Sequence, residues 1–170
     1  MLLDGDAWQR VLHGFERSSF RLETLSEYRV PQEADRIRSF LEGERLPEDY
    51  HSAWMDRVAD HVARGRRVQR VHTLVQPLST YLQFEFMYYG PHSRAGEDIR
   101  ILDLTERPNP GLPDQDFYLF DDHRVVLMHY TPDGTQISRE LLENPDVDLY
   151  RHYREIALNE AIPFAEYVKT

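Results

Sequence analysis

The chain has 170 residues, 41% hydrophobic, 29% charged and 12% aromatic, which supplies a packed core and excludes a disordered tail. With no cysteine, a disulfide scaffold, a zinc ribbon, an iron–sulfur site and a thiol nucleophile are excluded together. Thirty acidic residues against 20 basic leave a net charge of −10, which repels nucleic acid in bulk, so direct nucleic-acid binding is not expected.

Trp8, Val11, Leu12 and Phe15 recur at helical spacing. They predict a helix over about 4–17, a candidate appendage to the domain, with Asp4 or Asp6 as its cap. From Ser19 to Leu25, apolar Phe20 and Leu22 alternate with charged neighbours, as in a short strand. Pro31 opens a helix that runs to Phe40 and Leu41 and closes near Gly43. A further helix follows Pro47, with Tyr50, Trp54, Val58 and Val62 on one face and Gly65 as its stop. Arg66–Val75 is rich in β-branched residues and reads as a strand.

Residues 78–89 fit two periods. Leu82, Phe84, Phe86 and Tyr88 alternate as in a strand, while Leu78, Tyr81, Leu82, Glu85, Phe86 and Tyr89 form a helical stripe behind Pro77. The helical reading is adopted. Ile99–Leu104 alternates as a strand, and Arg107–Asp114, with three prolines and a glycine, is a loop. Strands over Asp116–Phe120, Arg124–Tyr130 and Gln136–Leu141 form a meander, with Pro132-Asp133-Gly134 as a turn. Asn144-Pro145 starts a last helix, ended by Pro163.

The order of elements predicts one α/β domain over 1–170: a single mixed sheet with helices packed on its faces. The strands near Val68 and Ile101 are expected side by side in parallel. No apolar run approaches the roughly 20 residues of a membrane span. Met1–Asp6 has neither the basic start nor the apolar stretch of a secretory signal. The expectation is a cytoplasmic protein without a membrane partner.

Four blocks then stand out: Ala63–Val71, Pro77–Glu85, Gly96–Arg100 and Leu112–Asp122. In this order they resemble a family of uncharacterised bacterial proteins, over roughly residues 10–165. Many members are encoded beside helix-turn-helix regulators, so the resemblance implies an accessory or regulatory binding role. A more distant topological similarity is to half of the phospholipase D fold. Enzymes of that fold carry a His and a Lys two residues apart. This chain has no His-x-Lys, and its one lysine is Lys169. The similarity therefore implies a binding domain without phosphodiesterase activity.

Among candidate sites, Arg64, Arg66, Arg67 and Arg70 concentrate positive charge and suit a phosphate or an acidic partner. The same arginines also suit a helix C-terminus, where cations meet the negative end of the dipole. Glu85, set among Tyr81, Leu82, Phe86 and Tyr89, needs a partner if buried, and Arg70, His72 or Arg100 is expected to provide it. Asp114, Asp116, Asp121 and Asp122, with His123 and His129, suit a divalent cation or, more simply, a tight turn between strands. No histidine pair has metalloprotease spacing, and no Gly-x-Ser-x-Gly, Gly-x-Gly-x-x-Gly or P-loop pattern occurs. No catalytic residue, metal or cofactor is assigned.

Two readings follow. One is a non-catalytic protein that binds a helix-turn-helix regulator, or a second copy of itself, through its aromatic surface. The alternative is a small-molecule sensor or enzyme with a pocket around Glu85, Tyr81 and Arg70. The ligand or partner candidates are Arg66, Arg70, His72, Tyr81, Glu85, Arg100, Asp116 and Asp121.

Overall fold

The computed structural model describes residues 1–170. Six helices are present: α1 (Gly5–His13), α2 (Ala34–Leu41, entered through a 3-10 turn at Pro31–Glu33), α3 (Ala53–Ala63), α4 (Thr80–Ala95), α5 (Val147–Glu160) and α6 (Phe164–Tyr167). The strands are β1 (Ser18–Glu23), β2 (Arg67–Leu74), β3 (Asp98–Asp103), β4 (Asp116–Phe120), β5 (Arg124–Tyr130), β6 (Gln136–Leu141) and β7 (Ile162–Pro163). They form one mixed sheet in the order β6-β5-β4-β1-β2-β3-β7. β1, β2 and β3 are parallel, and the other pairings are antiparallel. The protein is α/β, with helices on both faces of a single sheet.

Helix ends follow local chemistry. α1 stops at His13, four residues short of its expected end, because Gly14 takes the C-cap position. It is also built into the core: Trp8 and Val11 pack with Val68, Tyr118, Phe120 and Val126. Residues 80–95 are helical, which settles the ambiguous segment. Ser79 caps α4 by accepting from the Leu82 N–H at 3.1 Å. The helix continues beyond Tyr89 through Pro91 and ends at Gly96, whose φ of +118° is left-handed.

The two faces of the sheet differ in chemistry. Pleating sends Phe20, Leu22, Val71, Phe117 and Leu119 to one face, where they pack with Ala157 of α5. The opposite face is covered in two separate patches. α1 covers its β4–β5 side through Trp8 and Val11, and α3 packs over β2 and against α4, adding Val58 to the same cluster. α4 and α6 cover its β3 side through Tyr81, Leu82, Tyr89 and Phe164. Between these patches the central strands present charge. Arg21 stands beside Arg70 in the β1–β2 ladder, and Glu23 beside His72.

Candidate functional site

The gap between the two apolar patches is a cavity of about 430 Å3. Its floor is the charged stripe of β1 and β2. Tyr118 and Arg139 extend it across β4 and β6, and Tyr28, Glu33, Tyr81 and Glu85 wall it. Five arginines (21, 29, 36, 70 and 139) and three glutamates (23, 33 and 85) line it, a net of +2 on a chain of −10.

Arg70 anchors the floor. Its Nη1 donates to Glu23 Oε1 and its Nε to Glu97 Oε2, both at 2.7 Å. The side chains of Glu23 and Glu97 are 3% and 2% exposed, so the triad is internal. Trp54 Nε1 also donates to Glu97 Oε1 at 3.0 Å. Burial would raise the pKa of Glu23, but the guanidiniums of Arg21 and Arg70 outweigh it and lower the carboxyl to about 2. Gly96 makes this geometry accessible. A Cβ there would come within 2.9 Å of Val62 Cγ2, and the turn it permits delivers Glu97 beneath Arg70.

The histidine of the stripe is fully engaged. His72 Nε2 lies 2.9 Å from the Leu25 carbonyl, which only accepts, so that nitrogen donates. Its Nδ1 meets the Tyr89 hydroxyl at 2.9 Å. Ligand-type atoms of Glu23, His72 and Glu85 lie within 4.8 Å of one another. This trio does not fit a resident metal, because both imidazole nitrogens and Glu23 already serve the hydrogen-bond network.

The wall is held by Asp116. It accepts from Tyr28 Oη at 2.5 Å, Thr24 Oγ1 at 2.6 Å and the Thr24 N–H at 2.9 Å. Burial raises its pKa despite these bonds. Tyr28 is further fixed by the β5–β6 turn, where the Arg29 N–H donates to the Gly134 carbonyl at 2.9 Å. Gly134, at φ +88°, has no room for a Cβ, which would stand 2.2 Å from the Glu27 carbonyl oxygen. Burial also pushes up the hydroxyls of Tyr28, Tyr81 and Tyr89, and that of Tyr130 to about 12, so all four stay protonated at neutral pH.

Several groups in the cavity lack partners. Five buried side-chain atoms have none within the protein: Arg21 Nε, Glu85 Oε2, His92 Nδ1, Ser93 Oγ and Arg139 Nε. All but Ser93 belong to residues lining this one cavity. Arg139 pairs with no carboxylate, and burial lowers its pKa. Burial likewise lowers His92 to about 4.

The sequence-derived candidates divide. Arg70, His72, Tyr81, Glu85 and Asp116 gather on this face. Glu85, however, pairs with none of the three expected cations, and its Oε1 accepts from Tyr81 Oη at 2.7 Å instead. Arg100 is aligned with Val71, so it points to the opposite face, where it binds Asp98 and the Leu158 carbonyl. Arg66 sits before β2 with its Nη1 3.2 Å from His61 Nδ1. Asp121 lies in the β4–β5 turn and accepts from the N–H groups of Glu16, Arg17 and Ser18. Those bonds outweigh burial and lower its pKa, which makes it a structural cap.

Sequence reasoning missed Arg21, Glu23, Tyr28 and Arg139. The available signal was a charged pair on a strand flanked by apolar ones: on a central strand, both faces are covered.

The chain belongs to the family described as Domain of unknown function (DUF6879), whose model matches residues 6–169. None of the curated proteins matches it.

Proposed function

We propose that this domain is a non-catalytic binding protein whose cavity takes a small charged ligand. One observation carries the reading: four of the five orphaned buried polar atoms belong to residues that line a single cavity. Buried polar atoms are nearly always satisfied, and each orphan costs about 1–3 kcal/mol. A protein that concentrates orphans in one concave, aromatic-lined place is organised for a molecule that satisfies them. Net positive lining on an acidic chain favours a ligand with at least one anionic group.

The chemistry of the residues favours binding over turnover. The tyrosines stay protonated, His72 is held at both nitrogens, and Glu23 is locked to Arg70. The similarity to half of a phospholipase D fold points the same way, since the His-x-Lys pair is absent from the sequence. A coupled helix-turn-helix regulator, with ligand occupancy as its input, is supported by the sequence resemblance alone.

The test is native mass spectrometry of the gently purified protein, with solvent extraction of what it carries. A stoichiometric small molecule on the wild type, lost from Arg139→Met, is expected. Ligand-free masses for both proteins, with Arg139→Met less stable than wild type by more than about 1 kcal/mol, would overturn the reading.

A further inference from the structure

We infer that the ligand is a zwitterion, an amino acid or short peptide whose carboxylate meets Arg21 and Arg139 and whose ammonium meets Glu85 and Glu33. The inference rests on the cavity being a ligand site and names the class of molecule it takes.

Of the orphaned atoms, those of Arg21 and Arg139 and that of Glu85 belong to groups of opposite sign on different elements of the cavity. Arg21 and Arg139 come from β1 and β6, at the β4–β6 side of the floor. Their guanidiniums lie over aromatic rings, Arg21 at 5.1 Å from the Tyr118 centroid and Arg139 at 5.0 Å from that of Trp8. A stacked guanidinium keeps the N–H groups on its edge for a planar acceptor, and a carboxylate matches that fork. Arg21 pairs with Glu23 at 3.7 Å, and its one side-chain hydrogen bond is a long one to Tyr130 Oη at 3.3 Å.

The opposite wall is short of close donors, its Arg36 Nη2 standing 4.0 Å from Glu33 Oε2. Glu33 Oε1 and Glu85 Oε1 both face the Tyr81 hydroxyl, at 2.9 and 2.7 Å. One hydroxyl carries one proton and can serve only one of them. Glu85 Oε2 has no partner at all, and burial raises the pKa of Glu33. An ammonium supplies three N–H donors from a single point, which this cluster can absorb.

Arg70 does not compete for the ligand, because Glu23 and Glu97 already hold it. Glu23 links the two sides, 3.7 Å from Arg21 and grouped with Glu85 within 4.8 Å, so one small molecule can span them. A simple anion would leave the Glu33–Glu85 cluster short of donors. A simple cation would leave Arg21 and Arg139 unmatched.

The experiment is calorimetric titration of the full chain with the twenty L-amino acids and a dipeptide panel. The best binder is then compared with its deaminated acid and its decarboxylated amine. Each analogue should lose about ten-fold or more in affinity. Arg139→Ala should bind the zwitterion no better than the amine, and Glu85→Gln no better than the acid. The two panels separate free amino acids from peptides as the source. An acid that binds as well as its zwitterion would overturn the inference and leave the cavity reading standing. So would a non-zwitterionic molecule extracted from the native protein. No binding by either panel and nothing extracted would overturn both.

Discussion

On the face covered by α5, Phe20, Leu22, Val71, Phe117 and Leu119 are each 1% exposed or less. On the other face, the same central strands at the same depth present Arg21, Glu23, Arg70 and His72. Apolar side chains fill the centre of the first, and the Arg100 guanidinium toward β3 is paired with Asp98 and the Leu158 carbonyl. Burying ion pairs on the second gains little or nothing over well-packed apolar residues. The charged stripe is therefore a poor route to stability, which fits the proposal that the cavity above it holds a ligand.

The largest effects should come from the centre of each face. Phe117→Ala and Arg70→Met should each cost about 3–5 kcal/mol, the first by a cavity and the second by stranding Glu23 and Glu97. Urea unfolding at several pH values separates them. The stranded carboxyls of Arg70→Met acquire raised pKa values, so its deficit should shrink as pH falls toward 5. The Phe117→Ala deficit should be unchanged. Equal pH dependence would erase the distinction between the faces.

Gly134→Ala should cost about 1–3 kcal/mol, because the new Cβ collides with the Glu27 carbonyl in a left-handed backbone. It acts on one face only. It displaces Tyr28 from the cavity wall, so ligand affinity should fall while hydrogen exchange under α5 stays slow.

Glu23→Gln sharpens the comparison through pH. The folded pKa of Glu23 is lowered from 4.5 to about 2, so its stabilisation is fully present above pH 4.5 and is lost as pH falls toward 2. The wild type should exceed the variant by a constant margin above pH 4.5, and the margin should close below it. A margin undiminished at pH 2.5 would show that the Arg21 and Arg70 charges do not hold Glu23 down.

Strand parity explains much of what the sequence could and could not disclose. The alternation of Phe20 and Leu22 located β1, but alternation alone reads the intervening charges as solvent-facing. Only the sheet order, with β4 on one side and β2 on the other, turns Arg21 and Glu23 inward. Register also separates Arg70 from Arg100, since Arg100 is aligned with Val71 and Arg70 with Ile99. No local pattern carries that offset. The helical stripe of Tyr81, Glu85 and Tyr89 was legible because its 3.6 period coincided with a proline before it. Arg139 was not legible, because β6 is an amphipathic edge strand on which an inward arginine resembles an outward one.

Arg139 also gives the most direct test of the central claim, that the charged face is maintained for a ligand. The measurement is the urea unfolding free energy of Arg139→Met beside wild type, both refolded free of small molecules. The methionine keeps the apolar contact with Trp8 and removes an orphaned buried donor. The variant should be as stable as wild type or more stable by up to about 1 kcal/mol, and should lose affinity for ligand added back. A loss of more than about 1 kcal/mol would contradict the account, because Arg139 would then be holding the fold together.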